Sequence, residues 1–207
     1  MKARLLAAAV TLLLVGGATA ACGEKDAQEQ PASMPAHATK TQSQTQSQQT
    51  TPELAAALAK ARAATAKYVS DLPFAQQAGY QIITPMMPGM GYHYLNPKAP
   101  AFDLTAPAIL VYVKNDNRWE LGALEWVWPE QPTGPPLPGA TYGEFAAACH
   151  YQDGTFVPAD AEADCARTNG GEAFGFWHPK LVTMHVWLWF HNPDGLFHPT
   201  NPLVQTA

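Results

Sequence analysis

The sequence Trp-Glu-Leu-Gly-Ala-Leu-Glu-Trp-Val-Trp at residues 119–128 decides the fold class of this chain. It lacks proline, is rich in aromatic and aliphatic residues and follows the polar turn Asn117-Arg118, which is the pattern of a β-strand. Comparable short runs, separated by Pro, Gly and Asn, occur at residues 81–83, 92–95, 109–114, 155–158 and 181–190. We therefore predict a mainly antiparallel sheet, curled or closed into a small barrel.

A helix is predicted immediately before this region. A hydroxyl cap at Thr50 or Thr51 followed by Pro52 is a standard start signal. An apolar stripe then recurs at three- and four-residue steps: Leu54, Leu58, Ala61, Thr65, Tyr68 and Leu72. Pro73 ends this helix or begins a second short one that Gly79 would close. The expected fold is α+β, mainly β, with an N-terminal helix or helix pair packed on the sheet. Residues 52–207 are expected to form a single globular domain.

The first residues have the organisation of an export signal. Lys2 and Arg4 precede an apolar run and the small residues up to Ala21, which predicts a signal peptide at residues 1–21. The run is shorter than the roughly 20 apolar residues that a bilayer span needs. Thr-Ala-Ala-Cys at 19–22 is similar to a lipobox, with Cys22 as the lipidated residue and Thr19 where an aliphatic residue is usual. Ordinary signal cleavage is the alternative and would give a secreted protein.

Residues 22–51 begin with this cysteine and continue as a segment rich in Gln, Ser and Thr. Such a segment cannot bury enough apolar area to fold, so we predict a disordered tether. The protein is then expected to be extracytoplasmic, held at the bacterial membrane through a lipid at Cys22. Without Lys2 and Arg4 the formal charge falls from −5 to −7, which argues against a nucleic-acid partner.

The cysteine count supports the same location. Three cysteines leave one unpaired in an oxidising compartment. If Cys22 carries a lipid, Cys149 and Cys165 remain as a pair, and we predict a disulfide between them. Two reduced, buried cysteines are the alternative.

Glu125 carries the first functional hypothesis. Strict alternation along residues 119–128 places it on one face with Leu121, Ala123 and Val127. A buried, unpaired carboxylate costs several kcal/mol, so it must be protonated, paired with a cation, or bound to a metal. Residues 80–207 contain six histidines but only five Lys or Arg. A metal is therefore the favoured partner, with Arg118 as the alternative.

Histidines supply the remaining predicted ligands. His93 follows a Gly- and Pro-rich bend, and His185 lies among aromatic residues in the predicted strand 181–190. We predict His93, Glu125 and His185 as metal ligands, with His150, next to Cys149, as a fourth. Two imidazoles and a carboxylate suit zinc or another divalent ion, and nearby methionines at 86, 87 and 90 would favour copper, although we do not count them as ligands.

The other histidines receive no role. His178 and His198 each precede a proline and are expected in loops, and His191 lies about 20 Å along the strand from His185. No phosphate-binding loop, HExxH, GxSxG or paired CxxC motif is present. No nucleophile or catalytic motif is recognised, so the sequence predicts no reaction.

Two other functions fit the sequence. Six tryptophans could line a groove for a small molecule or a glycan. A purely structural envelope protein is the other alternative, in which Arg118 would neutralise Glu125.

Four sequence blocks resemble a family of secreted bacterial proteins and lipoproteins of unassigned function. They are Met-Pro-Gly-Met-Gly-Tyr-His-Tyr-Leu-Asn-Pro at 87–97, Pro-Ala-Ile-Leu-Val-Tyr at 107–112, Leu-Gly-Ala-Leu-Glu-Trp-Val-Trp-Pro at 121–129, and Met-His-Val-Trp-Leu-Trp-Phe-His-Asn-Pro-Asp-Gly-Leu-Phe at 184–197. The resemblance implies a recurring His, Glu, His frame at His93, Glu125 and His185, and it implies no reaction.

Overall fold

The computed structural model describes residues 50–205. The predicted signal peptide, the lipidation site Cys22 and nearly all of the predicted tether lie outside these residues. The helical elements are α1 (Pro52–Thr65), a 3-10 turn (Ala66–Tyr68), α2 (Leu72–Gln77) and a second 3-10 turn (Glu162–Asp164). The strands are β1 (Gln81–Ile82), β2 (Tyr92–Leu95), β3 (Ile109–Asn115), β4 (Arg118–Trp128), β5 (Gly143–Phe145), β6 (Ala148–Tyr151), β7 (Phe156–Pro158), β8 (Thr168–Asn169), β9 (Glu172–His178) and β10 (Leu181–Val186).

The two helices form where the sequence predicted them. The Thr51 hydroxyl accepts a hydrogen bond from the Leu54 backbone N–H at 3.1 Å and so caps α1. Asp71 caps α2 in the same way, and Gly79 follows α2 with a φ of 103°. Within the predicted apolar stripe only Leu58 is partly exposed, and the rest of the stripe is buried. The fold class α+β, mainly β, is therefore confirmed.

The strands form two antiparallel sheets, and within residues 50–205 neither closes into a barrel. The first sheet has six strands in the order β1-β2-β3-β4-β10-β5, and the second has four in the order β7-β6-β9-β8. The helical segment contacts one face of the six-stranded sheet, where the Tyr112 hydroxyl donates to the Tyr68 carbonyl at 2.7 Å. The candidate site lies on the opposite face of this sheet, which is the face that the second sheet covers.

A bulge in β4 changes which residues share a face with Glu125. Val111 pairs with Ala123, but Tyr112 pairs with Leu121, so Gly122 is an extra residue on β4. The prediction that Leu121 lies on the same face as Glu125 is wrong, because the extra residue reverses the alternation. Ala123 and Glu125 remain together on the face away from the helices.

β10 is shorter than the predicted strand 181–190. The chain leaves the ladder after Val186, because the Trp187 N–H donates to the Leu196 carbonyl and the Trp189 N–H donates to the Gly122 carbonyl. His191 therefore does not lie on this strand and is exposed. His185 remains within it, opposite Glu125.

The four-stranded sheet contains the predicted disulfide. Cys149 on β6 is bonded to Cys165, with the two Cα atoms 5.6 Å apart. The sequence predicted only β7 of this sheet. Strand β9 was missed, although it has seven residues and lies between the turn signals Gly170-Gly171 and Pro179. The bond ties strand β6 to the loop that precedes β8.

Removing this disulfide is expected to lower the free energy of unfolding by about 3 kcal/mol, because the bond closes a loop across a separation of 16 residues. The change is Cys149→Ala together with Cys165→Ala, measured by urea denaturation of the full chain. Cys22→Ala is the control and should leave the unfolding free energy unchanged. Equal stability of the parent with and without reductant would contradict the prediction.

The tryptophans do not form an exposed row. Trp126 and Trp187 are buried, and the other four are partly buried. The indole N–H of Trp126 donates to the Asp103 carbonyl, and that of Trp187 donates to the His198 carbonyl. Trp177 and Trp189 also donate to protein oxygens, so four of the six tryptophans combine packing with a satisfied indole N–H.

Across residues 50–205 no helix has the length and apolar character that a membrane span requires.

Candidate metal centre

Three of the predicted ligands converge on one buried point. His93 from β2, Glu125 from β4 and His185 from β10 each offer one ligand atom, and these atoms lie within 4.8 Å of one another. Glu125 Oε2 is 3.5 Å from His93 Nε2 and 3.6 Å from His185 Nε2. The sheet produces this arrangement, because Glu125 and His185 are direct cross-strand partners and His93 reaches them across β3. This group of His93, Glu125 and His185 could hold a metal ion.

The polar atoms of this group are not satisfied by the protein. Glu125 Oε2 and both ring nitrogens of His185 are buried and have no hydrogen-bond partner. Buried polar groups are almost always paired, so each such atom needs an explanation. A cation among the three side chains would bind Oε2 and one nitrogen of His185 at once. The residues therefore fit a metal ion.

Arg118 does not neutralise Glu125. It lies at the exposed start of β4, and across residues 50–205 the ion-pair partners of Glu125 are only the two histidines. The alternative in which Arg118 pairs with Glu125 is thus wrong, because Arg118 is seven residues away along an extended strand.

Thr84 orients His93. The Thr84 hydroxyl oxygen lies 2.8 Å from His93 Nδ1 and also accepts a hydrogen bond from the His93 backbone N–H at 3.1 Å. When Nδ1–H donates to this oxygen, Nε2 is left with a free lone pair directed at Glu125. A hydrogen bond of this kind fixes the tautomer and ring orientation of a metal-ligating histidine.

Burial keeps the group uncharged when no cation is bound. It raises the pKa of Glu125 to about 8. It lowers the pKa of His93 to about 4, with a smaller contribution from the charge of His150. It lowers the pKa of His185 to about 3, with a smaller contribution from the charge of His93. Near neutral pH both imidazoles are therefore free bases, and Glu125 carries a proton.

A cavity of about 200 Å³ gives access to the group. It lies between the two sheets, and His93 and Glu125 form part of its wall, whereas His185 lies behind them. Most of the remaining wall is apolar, and none of the six tryptophans contributes to it. The apolar part comprises Ile83, Met87, Met90, Leu95, Ile109, Val127, Phe145, Phe176 and Leu181.

His150 lies on the opposite wall of the same cavity. It is buried on β6 and is not one of the three groups that converge within 4.8 Å. Its Nε2 atom lies 3.0 Å from Nε2 of His178 instead. Its role as a fourth ligand of the His93–Glu125–His185 group remains a prediction.

Sequence reasoning missed Thr84 and His178. His178 is the last residue of β9 and not a loop residue, so the loop prediction for it is wrong. The alternation of Phe174, Phe176 and His178 was the available signal for a strand. Thr84 had no such signal, because its contact with His93 depends on the hairpin that precedes β2.

Comparison with known proteins identified no matching protein family, no matching curated protein and no matching solved structure. Membership of the family of secreted proteins and lipoproteins therefore remains a prediction from the sequence blocks.

Proposed function

We propose that this chain is a metal-binding lipoprotein of the bacterial envelope, in which His93, Glu125 and His185 hold one zinc or copper ion. The observation that carries the proposal is the convergence of three buried side chains, two of which, Glu125 and His185, have polar atoms without a protein partner. The export signal, Cys22 and the tether support the location from the sequence alone.

The donor spacing supports a four-coordinate ion. Zinc binds imidazole nitrogen and carboxylate oxygen at about 2.0–2.1 Å, so two ligand atoms of a tetrahedral site are separated by about 3.3–3.4 Å. The two observed nitrogen–oxygen separations are 3.5 and 3.6 Å. The third separation, between the histidine nitrogens, is within 4.8 Å, so the two rings would have to move toward each other before all three atoms reach bonding distance. A fourth position would then remain for a further ligand.

The ligand set narrows the choice of metal. Two neutral imidazoles and one carboxylate compensate one of the two charges of a divalent ion such as Zn²⁺ or Cu²⁺. The same set, with open positions, also holds Fe²⁺ in non-haem oxygenases, so iron belongs in the titration. The absence of a soft ligand among the three residues argues against Cu(I) as the preferred ion at this group.

A small ligand is the second candidate function. The cavity is largely apolar, and two of the three proposed metal ligands, His93 and Glu125, line it. Most small-molecule sites combine an apolar wall with a few polar groups that orient the ligand. A small, mainly apolar molecule with one donor atom could therefore occupy the cavity and reach the open position of the ion.

Metal titration of Glu125→Gln tests the ligand assignment. The full chain is purified without a histidine tag and titrated with Zn²⁺, Cu²⁺ and Fe²⁺. Glu125 is protonated near neutral pH in the metal-free chain, so Gln preserves its shape and lack of charge and the variant should fold. We expect its affinity to fall by more than about 100-fold, because loss of a ligand exceeds the 10- to 100-fold effect of losing a ligand's hydrogen-bond partner.

Glu120→Gln is the matched control, since Glu120 lies on the same strand and contacts Asn115 rather than the group. This variant should bind metal like the parent. Stoichiometric metal in Glu125→Gln at parental affinity would contradict the proposal, and so would a parent chain that binds none of the three ions.

A further inference from the structure

We infer that His150 and His178 form a second cation site on the opposite wall of the cavity, and that its ion is Cu(I). The Nε2 atoms of the two rings face each other at 3.0 Å. Nδ1 of His150 lies 2.6 Å from the Ile83 carbonyl oxygen, and Nδ1 of His178 lies 2.6 Å from the Pro179 carbonyl oxygen. A carbonyl oxygen only accepts, so both Nδ1 atoms must carry hydrogen.

This tautomer leaves a lone pair on each Nε2 atom when the rings are neutral. Two lone pairs at 3.0 Å repel each other unless a positively charged species lies between them. A proton and a metal ion are the two species that could do so. Burial disfavours the proton, since it lowers the pKa of His150 to about 4 and also lowers the pKa of His178.

The surroundings of the pair favour a monovalent ion. His150 stacks on Phe176 with ring centroids 4.7 Å apart, and His178 stacks on Phe145 at 5.4 Å. Two imidazoles contribute no negative charge, so a divalent ion would keep both of its charges in this apolar environment. Apart from Glu125, the acidic residue on the cavity wall is Glu144, which is exposed and already paired with Lys180 at 2.7 Å.

Copper(I) meets these requirements. Imidazole is a suitable ligand for copper, and thioether sulfur selects for Cu(I). Met87 and Met90 line the same cavity as the two histidines and are the available thioether donors. With thioether sulfur completing a three- or four-coordinate ion, metal–nitrogen bonds of about 2.0 Å place the two Nε2 atoms about 3.3–3.5 Å apart, so they would have to separate by about 0.3–0.5 Å. Because His178 is only partly buried, its ring can make this adjustment.

The second site does not rest on the proposed function, because it shares no residue with the His93–Glu125–His185 group. The test therefore begins from the full chain carrying Glu125→Gln, in which that group has lost its carboxylate. Cu(I) is supplied anaerobically from a chromophoric chelator, and the number of bound equivalents is counted. His178→Gln is added to this background as the test variant.

His198→Gln is the matched control. His198 also precedes a proline and directs Nδ1 at a backbone carbonyl, that of Thr200, at 2.7 Å. We expect the variant with His178→Gln to bind one Cu(I) equivalent fewer than the variant with His198→Gln. The remaining affinity at the altered site should be lower by more than about 100-fold.

Histidine ¹⁵N NMR gives a second measurement that needs no variant at the pair. Cu(I) should shift the Nε2 resonances of His150 and His178 and leave both Nδ1 atoms protonated. Equal Cu(I) binding by the two variants would overturn the inference. Failure of the Glu125→Gln chain to bind Cu(I) would also overturn it and would mean that the pair shares only a proton. Neither result bears on Zn²⁺ binding by the parent, which tests the proposed function separately.

Discussion

The apparent affinity of the His93–Glu125–His185 group for Zn²⁺ is expected to fall about 500-fold between pH 8 and pH 5, with a slope close to tenfold per pH unit below pH 7. Metal binding requires the ionised carboxylate, whereas burial raises the pKa of Glu125 to about 8. The carboxylate that the ion needs therefore becomes rarer with each unit below that value. At pH 8 about half of the Glu125 carboxyl groups are ionised, so the affinity should rise only about twofold above that pH.

The slope of the Zn²⁺ affinity against pH shows whether Glu125 or the two histidines exchange the proton. Burial lowers the pKa of His93 to about 4 and that of His185 to about 3, so both rings stay neutral down to pH 5. Ordinary histidines, with a pKa near 6.5, would add further protons below that pH and steepen the slope. The number of protons released per ion should thus be about one half at pH 8 and close to one between pH 7 and pH 5.

Competition with a chelator of known proton affinity measures this slope, and calorimetry in two buffers of different ionisation enthalpy counts the released protons. Glu120→Gln should reproduce the parental slope. A flat profile would contradict the raised pKa of Glu125. A slope of two or three below pH 6.5 would show instead that the histidines gain protons in the folded chain.

The sequence predicted correctly the ends of those elements that are marked by a capping, turn or helix-breaking residue. Strand β2 was predicted with its observed bounds, since Gly91 precedes it and Asn96-Pro97 follows it. Helix α1 begins at the expected cap for the same reason. Strand β10 was predicted too long, because the sequence 187–190 is as apolar as the strand itself. Its departure from the ladder depends on carbonyl acceptors at Gly122 and Leu196, which are distant in sequence.

The candidate site was predictable because its central residue conflicts with its surroundings. A carboxyl group in an apolar strand must be protonated or neutralised by a cation, and Glu125 could be recognised from residues 119–128 alone. The pairing of His150 with His178 could not be, since it requires the register of β6 against β9. A bulge at Gly122 likewise cannot be deduced from alternation, which is the pattern that it interrupts.

Gly91→Ala is expected to lower the free energy of unfolding by about 4 kcal/mol. Gly91 has a φ of 106°, and a Cβ atom there would lie 2.5 Å from the backbone oxygen of Tyr112. A left-handed backbone conformation costs about 1–3 kcal/mol, and forcing an extra carbon into a packed position costs a similar amount. The obstructing atom belongs to β3 in the middle of the sheet, so it cannot move away as a flexible side chain would.

Substitutions at two other glycines distinguish the cost of the left-handed backbone conformation from the cost of the steric clash. The measurement is urea denaturation of the full, metal-free chain. Gly139 has a φ of 75° with no atom within 4 Å of the added carbon, so Gly139→Ala should show the backbone cost alone. Gly134 has neither feature, and Gly134→Ala should change the unfolding free energy by less than about 0.5 kcal/mol.

Because Gly91 leads directly into β2, Gly91→Ala should also displace His93 and weaken Zn²⁺ binding, whereas the other two variants should not. Equal stability of Gly91→Ala and Gly139→Ala would show that the β2–β3 contact can widen without cost, and the close approach would then not be what holds His93 in place.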